Sequence, residues 1–166
     1  STLKDLGHTR SMLSDDVPQH LKVLHHTWAL SNEERRYIND YGIVELTSRA
    51  SAGELVKSLD RLFISHENKN HIDVCLATNI ISVGVDVPRL SNMIINKQPK
   101  STSEYIQASS RVGRGNVPGI VWVLYAPNRA RDRSHFEQFQ FFHSTVQKNV
   151  EPTSVTPFAK PARERA

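Results

Sequence analysis

A chain of 166 residues has the length of one ordinary domain, with 38% hydrophobic and 23% charged residues, a composition that excludes a disordered tail or a fibrous repeat. No run approaches the roughly 18 apolar residues of a membrane span and the amino end carries no signal-peptide core, so a cytoplasmic, reducing setting without a membrane partner is expected. Cys75 is the single cysteine, which excludes an internal disulfide and a cysteine-rich zinc module, and the net charge of +4 is compatible with a polyanionic partner without establishing one. The chain opens at Ser1 rather than Met, and we read it as a piece of a longer polypeptide.

Residues 1–41 read as helical. Asp16 is placed to cap a helix that tolerates Pro18 in its first turn, with Val17, Leu21, Leu24 and Trp28 on one face. Ser31 with Glu34 offers a capping box for a short helix through Tyr37 and Ile38. Ile43–Thr47 is a short apolar run after Gly42 and reads as a strand. Ser51 with Glu54 opens a helix whose Leu55, Leu59, Leu62 and Phe63 are expected to face inward. Ile72–Ala77 and Asn92–Lys97 are continuous apolar runs, the pattern of strands covered on both faces. Ser101 with Glu104 opens a helix predicted to reach about Arg114, Gly119–Ala126 is the last strand, and Asp132–Lys148 the last helix. This alternation predicts an α/β domain over residues 1–150, built on a mainly parallel sheet. Residues 151–166, with Pro152, Pro157 and Pro161, read as an extended tail or linker.

Two segments concentrate the chemistry. In Tyr105–Gly115, YIQASSRVGRG, Gln107, Arg111 and Arg114 fall at i, i+4 and i+7, which on a helix makes one polar row. Two guanidiniums a turn apart can grip a polyphosphate with forked hydrogen bonds, and the glycines around Arg114 could let the backbone approach a ligand. A solvated helix edge with its arginines on carboxylates is the other reading of the same row. In Ala77–Leu90, ATNIISVGVDVPRL, Thr78 stands where a buried strand should end, and Gly84 and Asp86 supply a turn followed by a carboxylate. A strand-ending Thr, a turn Gly and a capping Asp would read the same way.

Together, in order and spacing, Thr78, Gly84 and Asp86 followed by Gln107, Arg111 and Arg114 resemble motifs V and VI of superfamily 2 helicases. LTSRA at Leu46–Ala50 is placed like the nucleic-acid-contacting motif between IV and V, and STLKDLG at Ser1–Gly7 looks like the residues after the motif IV strand. The stretches ISVGVDVPRL, EYIQASSRVGRG, RDRSHFEQF and VEPTSVTPF are similar to the helicases of the DISARM phage-defence systems and their bacterial relatives. The resemblance implies a RecA-like second helicase lobe of the P-loop NTPase type, a three-layer domain expected to lack its first strand here, with a role in nucleic-acid translocation and phage defence. It implies that Thr78, Ser48 and Arg49 contact the tracked strand, expected to be DNA. Gly84 and Asp86 would face the nucleotide, Gln107 would sit by the γ-phosphate and attacking water, and Arg111 and Arg114 would reach the phosphates, with Arg114 as the arginine finger.

The resemblance has gaps. Gln107 stands where DEAD-box proteins have His, none of the seven glycines precedes Lys–Ser or Lys–Thr, and no Asp–Glu pair follows an apolar strand. The P-loop and the Mg²⁺ ligands of an ATPase are therefore expected on a first lobe outside this chain, which alone should hydrolyse no ATP. A non-catalytic module binding nucleic acid or protein is the rival reading, favoured if the arginines are tied to carboxylates of their own domain. A dinucleotide enzyme is a poor fit, since no G-x-G-x-x-G follows a predicted strand.

Elsewhere, Cys75, Trp28 and Trp122 are expected in the core, and no metal site is expected from His25, His26, His66 and His71. Arg129, Arg131 and Arg133 form a basic turn open to nucleic acid, to the rest of an enzyme or to solvent. Phe136, Phe139, Phe142 and Val146 make an apolar stripe that should dock on the domain's own sheet.

Overall fold

The computed structural model describes residues 3–47, 50–78 and 86–151. Two helices, α1 (Leu3–Ser14) and α2 (Asp16–Thr27), precede two β-α-β units. The first is β1 (Ile43–Leu46), α3 (Ala52–Leu62) and β2 (Val74–Ala77); the second is β3 (Asn92–Asn96), α4 (Thr102–Ser109) and β4 (Ile120–Leu124). Two short helices, α5 (Ala130–Glu137) and α6 (Phe139–Ser144), and a 3₁₀ turn at Val146–Asn149 follow. Both strand pairs are parallel, with Ile43 opposite Val74 and Asn92 opposite Ile120. Among the described residues they form two separate two-stranded sheets rather than one continuous layer.

Each unit buries its own core. Val44, Leu46, Leu62, Ile72 and Val87 pack together under α3, with Leu55 and Leu59 against them. Ser51 Oγ accepts from Glu54 N and the Glu54 carboxylate accepts from Ser51 N at 2.8 Å, the capping box expected from sequence. Phe63, just past the end of α3, is exposed rather than inward, because the apolar face ends with Leu62. In the second unit Ile95, Tyr105 and Phe142 form the core, joined by Met93, Val121 and Val123 from the inner face of the strands. The alternate face carries Ile94, Ile120, Trp122 and Leu124, each more than half exposed. The expectation that β3 is covered on both faces therefore does not hold, and Trp122 lies outside the core for the same reason.

Other helix boundaries move for identifiable causes. The residue before α2 is Asp15, whose side chain makes no cap bond, while Asp16 lies inside the helix. Asp15 N donates back to Ser11 O, so α1 runs almost directly into α2. Trp28 is exposed because α2 stops there: Ala29 turns left-handed at φ 49°, and Leu30 N returns to His25 O. The Ser31–Glu34 bonds form, but the chain makes only one turn, since Arg36 N donates to His25 Nε2 at 3.2 Å instead of continuing a helix. The last helix breaks at Gln138 into α5 and α6. Phe142 is buried while Phe136, Phe139 and Phe141 remain exposed, so only part of the aromatic stripe docks on the domain's own sheet.

Long-range polar contacts tie the units together. Lys97 Nζ pairs with Asp5 at 2.7 Å, and Arg10 Nη1 donates to Ile43 O at 2.8 Å, pinning α1 against both. Asp132 is 1% exposed and accepts from Ala126 N at 2.7 Å and Gln98 N at 3.3 Å, joining the chain beyond β3 to that beyond β4. Arg131 donates to the carbonyls of Pro99 and Lys100, and Arg133 lies 3.9 Å from Glu137. Cys75 packs against the first core, and burial raises its thiol pKa to about 11. At pH 8 this leaves about a hundredfold less thiolate than an open cysteine has. Iodoacetamide should therefore leave the folded chain unmodified at pH 8 and alkylate it in denaturant, as read by intact mass; rapid alkylation of the folded form would refute this burial.

Candidate nucleotide and nucleic-acid site

The two segments singled out by sequence meet in space. From β2, the chain passes Thr78 and re-enters the described structure at Asp86, then turns through Val87–Leu90 into β3. Val87 is 1% exposed and anchors this turn in the first core. Arg89 fixes it further, donating from Nε to Leu62 O and from Nη2 to Ile72 O at 3.0 Å; burial lowers its pKa. From the other side α4 ends at Ser109, and the chain turns so that Gly113 N donates to Leu90 O at 3.0 Å.

This closure explains the glycines. Gly113 has φ +71°, and a Cβ on it would stand 2.7 Å from Gly119 N, while one on Gly119 would meet Gly113 N at the same distance. Gly113 and Gly119 thus allow two stretches of the domain's own backbone to touch, a use of Gly113 different from the close approach to a ligand expected of it.

Arg114 is the centre of the arrangement. Its Nη1 lies 3.1 Å from Asp86 Oδ2 and its Nε donates to Ser110 O at 2.6 Å. The pair is open to water, at 35% and 54% side-chain exposure, and such surface pairs are worth about 0–1 kcal/mol. The pair therefore costs little to open. Gln107 projects from the exposed face of α4, and Arg111 is half-buried in the turn after it. The helix thus stops before the arginines, and the expected single row on one helix face is replaced by one helical residue and two turn residues. Ser110 N to Ile106 O and Arg111 N to Ala108 O tighten the last turn and redirect the chain.

Thr78 follows β2 directly, and its N–H donates to Leu46 O at 3.4 Å, so the carboxyl ends of β1 and β2 lie side by side. Thr47, buried at the same end, leads toward the capped start of α3. Ser48, Arg49 and Gly84 lie outside the described residues, as do the first half of ISVGVDVPRL, residues 81–85, and all of the tail after Glu151. The Asp86–Arg114 pair stands on the amino-terminal side of β3 and β4, whereas open α/β sheets gather ligands at strand carboxyl ends.

A half-exposed guanidinium resting on a displaceable carboxylate suits the phosphate end of ATP. For magnesium the fit fails: among the described residues no three His, Cys, Asp or Glu side chains cluster closely enough to hold a metal ion. Among the same residues no helix is long and apolar enough to cross a membrane. Sequence alone did not single out Arg89, Asp132 or Glu151 as positioning groups, because their partners are backbone groups brought near only by the fold.

The glycine contact gives a direct check. Gly113→Ala should destabilise the chain by about 1–3 kcal/mol through its left-handed backbone and the overlap with Gly119. Chemical denaturation measures this, and an unchanged midpoint would show that the two segments do not close as described.

Comparison with known proteins agrees with this architecture. Residues 11–116 match the family model of the helicase conserved C-terminal domain. The DISARM protein DrmA of Bacillus paralicheniformis is 43% identical over 165 residues, covering 99% of this chain and 14% of that protein. The ATP-dependent DNA helicase RecG of Pasteurella multocida is 44% identical over 57 residues, 34% of this chain and 8% of RecG. Nucleolar RNA helicase 2-A of Xenopus laevis is 24% identical over 86 residues, 52% of this chain and 11% of that protein. The chain spans only a small part of each of these relatives. With its β-α-β units and its family match, the chain belongs to the helicase conserved C-terminal domain family and is a RecA-like lobe of the superfamily 2 type, similar to DISARM protein DrmA.

Proposed function

We propose that this chain is the second motor lobe of an ATP-dependent superfamily 2 helicase or translocase acting on DNA in bacterial phage defence. The observation that carries the reading is the meeting of Asp86 with Arg114, which joins the two motif-like segments in one place. Similarity to DrmA supports the defence setting, and the 44% identity to a DNA helicase over 57 residues supports DNA.

In this reading ATP supplies the phosphoryl group transferred to water, with its phosphate cradle and Mg²⁺ ligands on a first lobe joined to this chain. Arg114 exchanges Asp86 for a phosphate oxygen and stabilises the charge that develops there. Arg111 holds a second phosphate oxygen, Gln107 orients the attacking water, and Gly84 with Asp86 lies against the nucleotide. Thr78, Ser48 and Arg49 hold a backbone phosphate of the tracked strand, helped by the amino end of α3. Because both sets of contacts belong to one lobe, opening and closing against the first lobe moves the strand, a hinge motion around a ligand.

A non-catalytic binding module is the second reading. It draws support from the engagement of Arg114 by its own domain's Asp86 and from the position of that pair on the amino-terminal side of β3 and β4. Exposure of the pair keeps the motor reading ahead, since a solvated ion pair yields readily to a polyphosphate.

The two separate in one experiment. The 166-residue chain alone should turn over no ATP, and when it is joined to its first lobe Arg114→Ala should lower kcat by about 10³–10⁵-fold. A steady-state ATPase assay measures both. Turnover by the isolated chain that survives Arg114→Ala, or an unchanged kcat in the joined protein, would overturn the motor assignment.

A further inference from the structure

The first amides of a helix have no partners within it and must find them elsewhere. In α4 this is done from two places. Ser101 Oγ accepts from Glu104 N at 3.2 Å, a local cap, while the Glu104 carboxylate turns back to Lys100 N at 3.1 Å. The two preceding amides are met from far along the chain. Glu151 Oε1 and Oε2 accept from Thr102 N at 2.9 and 3.0 Å, and Oε2 also accepts from Ser103 N at 3.4 Å. A carboxylate suits the positive end of the helix dipole. The hydrogen bond from Thr102 is the main cause holding the Glu151 carboxyl below the usual carboxylate range.

The same C-terminal region grips α4 a second time. His143 Nδ1 lies 2.8 Å from Phe139 O, and since a carbonyl only accepts, that nitrogen carries the proton. Nε2 is then free to accept from Tyr105 Oη, 2.8 Å away. The Tyr105 ring also meets Phe142 edge-on at 5.7 Å. Residues 139–151 therefore hold α4 at its start and one turn in. The helix has eight residues, about 12 Å of rise, too short to absorb a tilt by bending. A change of axis at Thr102 becomes a displacement at Ser109, where the turn bearing Arg111 and Arg114 begins. Since Ser101 already caps the helix locally, Glu151 is not needed for α4 to form; what it adds is a direction.

We propose that Glu151 is a positioning residue for the arginine turn: by holding the amino end of α4, it lets residues 139–151 set where Gln107 and Arg114 are presented. The functional meaning of this coupling rests on the nucleotide-facing reading of those two side chains, while the coupling itself is physical and does not.

The test uses the isotope-labelled 166-residue chain and no nucleotide. In Glu151→Ala, exchange of the Thr102 and Ser103 amides should speed up about tenfold. The Gln107 amide and Arg114 Nε resonances should shift as well, while the Cys75 and Leu76 amides in the first unit stay in place. Glu151→Gln retains one oxygen acceptor and should fall between wild type and Glu151→Ala in both readouts; if the alanine variant does not fold, the glutamine variant carries the test alone. Faster exchange with unmoved Gln107 and Arg114 resonances would reduce Glu151 to a local cap and overturn the proposal, as would unchanged exchange. A motor assignment that failed on Arg114→Ala kinetics would leave these resonances as expected, so the two failures are distinguishable.

Discussion

The site depends on one backbone contact, the hydrogen bond from Gly113 N to Leu90 O. It brings the turn after α4 against the turn before β3, and only residues without a side chain fit where Gly113 and Gly119 face each other. With that contact made, Ser110 O holds the Nε of Arg114, and Asp86 lies within reach of Nη1. Val87, buried beside the first core, and Arg89, on the carbonyls of Leu62 and Ile72, hold the opposite side in place. The arginine is thus presented by a scaffold of backbone hydrogen bonds and core packing, and the ion pair itself contributes little to stability.

In the motor reading proposed above, that division suits Arg114, which would leave Asp86 for a phosphate. A buried, fully bonded guanidinium would lose much by moving, because burying a charge without compensation is costly. A surface pair gives up a weak interaction and regains solvation. The firm contacts belong to neighbours that need not move: Arg89, Asp132 between the chain segments beyond β3 and β4, and Arg131 on the carbonyls of Pro99 and Lys100. Stability and readiness to exchange are carried by different residues.

Local signals were legible in the sequence and long-range ones were not. The Ser51–Glu54 capping box and the short apolar runs announced α3 and the strands, because caps and buried strands are written within a few residues. The β-α-β order followed from them, and the motif-like segments pointed to Arg114 and Asp86. The end of α4 was misplaced because the residues to Arg114 suit a helix; what stops it is a hydrogen bond to Leu90 from another unit. The Ser31–Glu34 pattern failed similarly, since the amide of Arg36 goes to the His25 ring. Trp122 was misjudged because an apolar strand does not reveal whether one face or two is covered. Glu151, in a Pro-flanked stretch that reads as a tail, gave no hint of the helix end it occupies.

The central claim is that Arg114 trades Asp86 for a phosphate. It is tested most directly by a structure of this lobe joined to its first lobe, with a non-hydrolysable ATP analogue and single-stranded DNA bound. The account predicts an Arg114 guanidinium nitrogen within hydrogen-bond distance, about 2.7–3.1 Å, of a phosphate oxygen, with the contact to Asp86 broken. Arg114 still resting on Asp86 in a closed complex, with no nitrogen near the nucleotide, would contradict it.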